Sequence, residues 1–293
     1  WYKPPVFFMT YKGRFAPSPS GRLHFGSIVC AVAVFLRAKS QDGLCCLRIE
    51  DLDLERCKTG NTKAILDDLN TLGFVFDGEV LIQTQNTKRY LKQGDYLFTN
   101  NEAFYCSCTR AQLKQRPCTC SSLHLEKSDS TALFYKVKNN KGSFNDALRG
   151  EVFVDNIQNT VCLIRKDGII SYNLACVTDD IDMGITEIVR GADLIDITPV
   201  QIEMYEAFKA CKPNYLHIPL ALMDENHKLS KQNHSKAALD LMAPEKVLIK
   251  ALEFLNQDIS NLHTLSCRQI LQKAADRFTL SSINTTDKVI SIN

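Results

Sequence analysis

No stretch of this 293-residue chain is long and apolar enough to cross a bilayer. Its longest apolar run, Ile28 to Leu36, has nine residues, where a spanning helix needs about twenty. Charge of one sign is scarce as well. Lys plus Arg number 35 against 33 Asp plus Glu, a net charge of +2. A uniformly basic nucleic-acid coat is excluded, and any contact with RNA has to be a local patch. Cysteine is too sparse for a disulfide scaffold: 12 residues of 293, about half or less of the roughly 8–10% such chains carry. Internal repeats and low-complexity tracts are missing too. Hydrophobic residues at 45% and charged residues at 23% are ordinary for a globular chain, which excludes a disordered tail and a collagen-like fibre. Trp1 to Phe8 holds one lysine and no long apolar core, so no secretory signal is expected. A reduced, cytoplasmic setting follows, in which clustered cysteines suggest metal more than disulfide. Met9 would be a natural initiator, and residues 1–8 are assigned no function.

What is present reads as α/β. Gly13–Ala16 looks like a short strand entering the loop Pro17-Ser-Pro-Ser-Gly21. A helix follows from about Phe25 to Ala38, apolar almost all round and therefore deeply buried. Gly43 breaks it, and Leu44–Ile49 is of strand type. Asn61–Leu72 is amphipathic, with Ile65, Leu66 and Leu69 inward and Gly73 as the residue past its end. Strand, helix, strand, helix in this order predicts a parallel sheet with right-handed crossovers. From about Cys106 to Asp155 the rhythm breaks, and we read an insertion with its own small fold, including short strands at Leu133–Val137 and Glu151–Val154. The α/β pattern resumes at Val161, with a helix from about Val200 to Ala210 and a strand at Leu216–Leu222. After Pro244 the chain reads as helical to its end, with Val247, Leu248, Ala251, Leu252 and Leu255 as an apolar stripe.

Three constellations carry chemistry. In the first, His24-Phe-Gly26 opens a helix after a proline-shaped loop. Free amides and a positive dipole end suit a phosphate there. Gly26 lets a ring or phosphate approach the backbone, and His24 can donate to a phosphate oxygen. Taken alone it is more often a proline-rich turn. In the second, Lys228 and Lys231 flank Ser230 in a polar, glycine-free loop. Two lysines there can neutralise charge building on a leaving pyrophosphate, although such a loop alone is more often merely solvated. The third is Cys106, Cys108, Cys118 and Cys120. Four thiolates over a short loop suit tetrahedral zinc.

His-x-Gly early and Lys-Leu-Ser-Lys late, both in α/β context, resemble the two signatures of class I aminoacyl-tRNA synthetases. The flanks are more specific. Arg14-Phe-Ala-Pro-Ser-Pro-Ser-Gly21, Arg48-Ile-Glu-Asp-Leu-Asp53 and Gly184-Ile-Thr-Glu-Ile-Val-Arg-Gly191 look like the glutamyl and glutaminyl branch. Leu23-His-Phe-Gly-Ser27, Arg190-Gly-Ala-Asp-Leu194 and Lys228-Leu-Ser-Lys-Gln-Asn-His234 resemble that branch's shortened paralogues, the glutamyl-Q tRNA(Asp) synthetases, more than the parent glutamyl-tRNA synthetases. The match runs from about Gly13 to Leu239. One departure is visible: Ser27 stands where the first signature usually has a second histidine. It keeps a donor and loses a positive charge.

The resemblance implies a Rossmann-like parallel sheet with a zinc-bearing insertion and a short helical C-terminal region. The corresponding divisions are 9–105 and 156–240 for the catalytic halves, 106–155 for the insertion and 241–293 for the helices. It implies that His24, Gly26, Ser27 and Lys231 bind ATP, and that His24, Lys228 and Lys231 serve catalysis. Arg14 and Arg190 would hold glutamate carboxylates, Glu50 the ammonium, and Tyr172 a hydrogen bond to the substrate. Phe15, Ala16, Pro17 and Ser18 would line the glutamate site. Asp51, Asp53, Asp179, Asp180 and Asp182 are expected to be caps and loop ligands rather than catalysts. The family's zinc site uses Cys-x-Cys and then a Tyr-x-x-x-Cys pair. Here Arg116 occupies the tyrosine position, so either Cys118 or His124 completes the set. Most of the remaining, scattered cysteines are expected to be ordinary core residues. The implied reaction is activation of glutamate with ATP, with Mg²⁺ on the phosphates. Transfer follows to the queuosine at the wobble position of tRNA(Asp), by a monomer without membrane contact. Three other readings stay open: a truncated glutamyl-tRNA synthetase charging the tRNA 3′ end, a nucleotidyltransferase, and a zinc-bearing RNA-binding module.

Overall fold

The computed structural model describes residues 10–58, 60–224, 227–228 and 237–289. In chain order the first elements are β1 (Lys12–Phe15), α1 (Phe25–Lys39), β2 (Leu44–Ile49), α2 (Asn61–Thr71), β3 (Leu81–Ile82) and α3 (Thr87–Thr99). Next come β4 (Ala103–Cys106), α4 (Arg110–Gln115), β5 (Ala132–Lys136), β6 (Gly142–Asp146), β7 (Gly150–Val154) and β8 (Thr160–Ile164). Then follow α5 (Tyr172–Met183), β9 (Glu187–Gly191), α6 (Thr198–Ala207), β10 (Asn214–Ile218), β11 (Ala221–Asp224) and β12 (His227–Lys228). The chain closes with α7 (Pro244–Phe254), α8 (Cys267–Asp276) and β13 (Lys288–Val289).

The parallel α/β sheet expected from the element order is present. β1 pairs with β2 and β2 with β3, all parallel. β10 runs parallel to both β9 and β6. The two groups meet where the Thr186 amide donates to the Lys12 carbonyl at 2.9 Å. α1 crosses beneath them. Val29, Val32, Val34 and Leu36 are all buried, since the sheet covers one side and α7 and α8 cover the other. That is why its sequence lacks a polar face. In α7, Val247, Leu248, Ala251, Leu252 and Leu255 are fully covered, as their spacing predicts. Gly73 takes φ +76° past the end of α2, and a Cβ there would meet the Arg268 amide at 2.8 Å.

Two expectations change. The strands of the segment 106–155 divide between two sheets. The first of them, β5, joins β4 and β8 in an antiparallel sheet, order β4-β5-β8. The hairpin of β6 and β7 instead extends the catalytic sheet through β10. Sequence rhythm marks where the pattern changes but not which sheet recruits each strand, because pairing is set by distant partners. Nor is the end of the chain all helix: β13 pairs with β11 in parallel, and the Lys288 amide donates to the Leu220 carbonyl at 3.1 Å. A two-residue strand leaves no periodicity to read.

Buried charge ties β1, β2 and α5 together. Asp180 on α5 accepts from Arg14 of β1 at 2.9 Å (Nε) and 3.3 Å (Nη2), and from Arg48 of β2 as well. Arg48 is fully buried and also donates to Glu50 at 3.0 Å. Asp179 accepts from Gln83 at 2.7 Å and from the Tyr90 hydroxyl at 2.9 Å. Burial alone would raise the Asp180 carboxyl, but the guanidinium groups of Arg14 and Arg48 outweigh it and bring it down to about 2. Asp180→Asn should therefore destabilise the protein by about 3–5 kcal/mol, because two buried cations lose their shared partner. The sign with pH follows from the depressed value. Wild type should keep the whole advantage above the unfolded carboxylate range of about 4, and lose it as pH falls toward 2. Melting curves of both proteins across pH 2–7 check this, and a gap that stays constant down to pH 2 would contradict it.

Candidate active site

One cavity of about 560 Å³ opens at the carboxyl ends of β1, β2, β9 and β10. Its walls include Arg14, Phe15, Ala16, Pro17, Ser18, His24, Gly26, Ser27, Glu50, Tyr172 and Arg190. Every site residue singled out in the first signature, the β2 motif, Tyr172 and the β9 motif thus reaches the same space. The site residues beyond them fall on the second signature and the cysteine cluster. Of Lys228 the structure describes the backbone, which β12 brings back alongside Leu222, next to the pocket-lining Ala221. Lys231 lies outside the described residues.

Each wall has a local cause. β1 ends at Phe15, and the loop returns so that the Glu50 amide donates to the Pro17 carbonyl at 3.0 Å. His24 then caps α1: its Nδ1 accepts from the Ser27 amide at 3.2 Å, and its Nε2 meets the Ser27 hydroxyl at 2.9 Å. An accepting Nδ1 leaves the proton on Nε2, so the ring donates to Ser27. The serine that replaces the second histidine is thus a partner of the first. Gly191 lies where β9 enters the pocket, and a Cβ there would meet the Asp193 carboxylate at 2.6 Å.

The two arginines are held differently. Asp180 takes Nε and Nη2 of Arg14, which leaves Nη1 as the nitrogen with no hydrogen bond among the described residues. Arg190 is enclosed. Its Nε donates to His217 Nε2 at 3.0 Å, Nη1 to Gln201 Oε1 at 2.7 Å and Nη2 to Thr198 Oγ1 at 2.7 Å. Longer contacts, both 3.4 Å, run from Nη1 to the Tyr172 hydroxyl and from Nη2 to the Leu194 carbonyl. The guanidinium carbon also lies 5.5 Å from the centre of the Tyr215 ring. Burial pushes the Glu50 carboxyl up, against the pull of Arg48 and Arg14. Burial, and Arg190, push the His217 imidazole down, despite its bond to Asp146.

Several of these residues had no place in the motif reading. Arg14 has a buried ion-pair partner in Asp180. Asp51 accepts from Thr84 at 2.8 Å and Asp182 pairs with Arg89, as loop ligands do. Asp179 and Asp180 are buried ion-pair members instead. Cys176 is likewise no ordinary core thiol, since Arg48 Nη2 reaches its sulfur at 3.4 Å. The available signal was a charged or ionisable residue inside an apolar strand: Arg48 in Leu44–Ile49, and His217 between Leu216 and Ile218.

A second constellation lies on the β4-β5-β8 sheet. The sulfurs of Cys106, Cys108, Cys118 and Cys120 all lie within 4.8 Å of one another. Cys106 and Cys118 are 3.4 Å apart, Cys108 and Cys120 3.6 Å. A tetrahedron with metal–sulfur bonds of about 2.3 Å has edges of about 3.8 Å, so the group can hold a metal ion. Burial works against a Cys120 thiolate, but the Ser107 amide and the neighbouring thiols lower its pKa to about 7. Cys118 completes this set, while His124 is exposed and outside it.

Similarity to known proteins agrees with this arrangement. The family described as "tRNA synthetases class I (E and Q), catalytic domain" matches residues 11–133 and 123–257. A glutamyl-Q tRNA(Asp) synthetase of Vibrio vulnificus (strain YJ016) is 40% identical over 282 residues, 94% of this chain and 92% of that protein. The one from Escherichia coli (strain K12) is 40% identical over 293 residues, 96% of this chain and 94% of that protein. A glutamate tRNA ligase from Elizabethkingia meningosepticum CCUG26117, solved in complex with its amino acid, superposes with a TM-score of 0.80 at 22% identity. That likeness, over 97% of this chain and 68% of the other, is one of fold. No helix among the described residues is long and apolar enough to cross a membrane. By fold, motifs and identity, this chain belongs to the glutamyl-Q tRNA(Asp) synthetase family of class I tRNA synthetases.

Proposed function

We propose that the protein activates glutamate with ATP and passes it to the queuosine at the wobble position of tRNA(Asp). One observation carries the reading: the start of α1, with His24, Gly26 and Ser27, and the two arginines Arg14 and Arg190 line the same cavity. Glutamate enters with one carboxylate toward Arg14 Nη1 and another toward Arg190, both charge-assisted contacts. Its ammonium faces Glu50, and a neighbouring cation favours the ionised form that burial disfavours. Tyr172 offers its hydroxyl to the substrate. Phe15, Ala16, Pro17 and Ser18 form the wall behind it.

ATP lies across His24, Gly26 and Ser27, with its phosphates toward the start of α1. The glutamate α-carboxylate oxygen attacks the α-phosphorus. The bond to the pyrophosphate oxygen breaks, and pyrophosphate leaves with the electron pair. No side chain becomes covalently linked. The gain comes from alignment and from stabilising charge as it spreads, the task assigned to Lys228 and Lys231. Mg²⁺, when bound to the nucleotide, neutralises phosphate charge. A hydroxyl of the acceptor then attacks the acyl carbon, and AMP departs. We place the protein in the cytoplasm, acting as a monomer, with zinc on the four cysteines. Exposed Lys114 and Arg116, beside the cysteine loop, suit RNA phosphates.

ATP–pyrophosphate exchange should proceed with glutamate alone. Exchange that requires tRNA, or that prefers glutamine, would count against this reading. In the same assay Lys231→Ala should lower the rate by roughly 10²–10³, the scale of losing one preorganised donor.

The purified protein should contain one zinc. Cys106→Ser should release it and lower the melting temperature, because a core of Phe104, Phe134, Ala132 and two cysteines is too small to hold the insertion without metal. Metal analysis of chelator-free protein decides this, and a zinc content near zero would refute it.

The acceptor is decided by two substrates. Labelled glutamate should attach to tRNA(Asp) that carries queuosine and a blocked 3′ end. It should not attach to tRNA(Asp) with an intact 3′ end and unmodified guanosine. Labelling of the second alone would move the protein to the truncated glutamyl-tRNA synthetase reading.

A further inference from the structure

Arg190 has five N–H groups, and three of them meet close acceptors, at 3.0, 2.7 and 2.7 Å. The two that make only 3.4 Å contacts lie on different terminal nitrogens. A carboxylate has two oxygens to replace two such contacts. What decides the set of the guanidinium is therefore its inner clamp, and His217 is the part of the clamp with a lone pair to give or withhold.

The ring of His217 is buried completely. Its Nδ1 lies 2.8 Å from Asp146 Oδ2. A carboxylate only accepts, so Nδ1 carries the proton and Nε2 is left as acceptor. Nε2 then receives the Arg190 Nε–H. The opposite tautomer would point N–H at N–H. Asp146 is itself fixed: the Leu148 and Arg149 amides donate to Oδ1 at 2.9 and 3.0 Å, and the His217 amide to Oδ2 at 2.9 Å. Thr198 Oγ1 also lies 3.2 Å from His217 Nε2; its hydroxyl accepts from Arg190 and has one proton to share between the Leu194 carbonyl, at 2.9 Å, and an unprotonated Nε2, so both arrangements keep Nε2 an acceptor. Asp146 ends β6, in the hairpin that joins the catalytic sheet from the insertion side.

We propose that Asp146 and His217 are positioning residues that set the Arg190 guanidinium for the substrate carboxylate, through the tautomer that Asp146 imposes on His217. The role rests on the reading of Arg190 as a glutamate-binding arginine. It also makes the β6 hairpin part of the amino-acid specificity of the site.

Exchange kinetics with glutamate and ATP varied separately test it, in Arg190→Ala, His217→Leu, His217→Gln and the Arg190→Ala/His217→Leu double variant. His217→Leu should raise KM for glutamate by roughly 10–10², the scale of one hydrogen bond to a charged group, with KM for ATP little changed. His217→Gln keeps an acceptor for Nε and should restore most of the loss. The double variant should be no worse than Arg190→Ala. Additive losses, or equal losses for both substrates, would overturn the positioning role and leave Arg190 in place. An unchanged KM for glutamate in Arg190→Ala would instead overturn the reading of Arg190. Should His217→Leu fail to fold, the imidazole ¹⁵N shifts of the wild-type protein still decide: a proton on Nδ1 is expected, and a proton on Nε2 would refute the proposal.

Discussion

Asp180 is the point on which two strands and a helix depend. Without it, Arg14 and Arg48 would be two guanidinium groups facing each other inside a protein. Its carboxylate lets β1 carry Arg14 into the cavity wall while Arg48 of β2 stays fully buried. Such an arrangement is not chosen for stability alone, since apolar residues of the same volume often do as well or better. What it provides is a cation kept in place in the pocket wall, with one nitrogen that has no hydrogen bond among the described residues. Glu50 and Cys176 share the same charges, so the cavity wall and the buried core are joined through one ion-pair network.

The remainder of the site follows the same economy of partners. His24 both caps α1 and gives its proton to Ser27, so the helix end is shaped by the residue that would touch a phosphate. Loss of the second histidine removes a charge from this end, while the amides of α1 remain. At the other wall, Arg190 is enclosed on nearly every side, and its ring neighbour Tyr215 stacks parallel to His217 with centres 6.1 Å apart. Rigid holders of this kind favour a substrate of one size and charge.

Much of this was legible in the sequence, for identifiable reasons. α1, β2 and α2 are local patterns: a run apolar all round, a short strand between breakers, and a two-sided helix ending at Gly73. The pocket residues were legible because their motifs resemble a known branch of synthetases. Pairing across distance was not. Asp146 and His217 are 71 residues apart, Arg14 and Asp180 166 apart. Nothing in either local sequence names its partner. The β6–β7 hairpin reads as part of the insertion for the same reason, since its partner β10 lies far along the chain. The hint that did exist was physical: a charged or ionisable residue inside an apolar strand needs a buried partner.

The placement of α1 has a consequence in time. This helix precedes its covering partners in the chain, and it is also the most apolar of the described helices. Its sheet-facing side waits for β9, and its other side for α7 and α8, more than two hundred residues later. Until then a nine-residue apolar run lacks its final cover, a state that invites aggregation. The cavity wall at Leu220 waits longer still, because residues 287–289 complete its backbone bonds. A growing chain therefore carries His24 and Gly26 long before the segments that close the pocket around them.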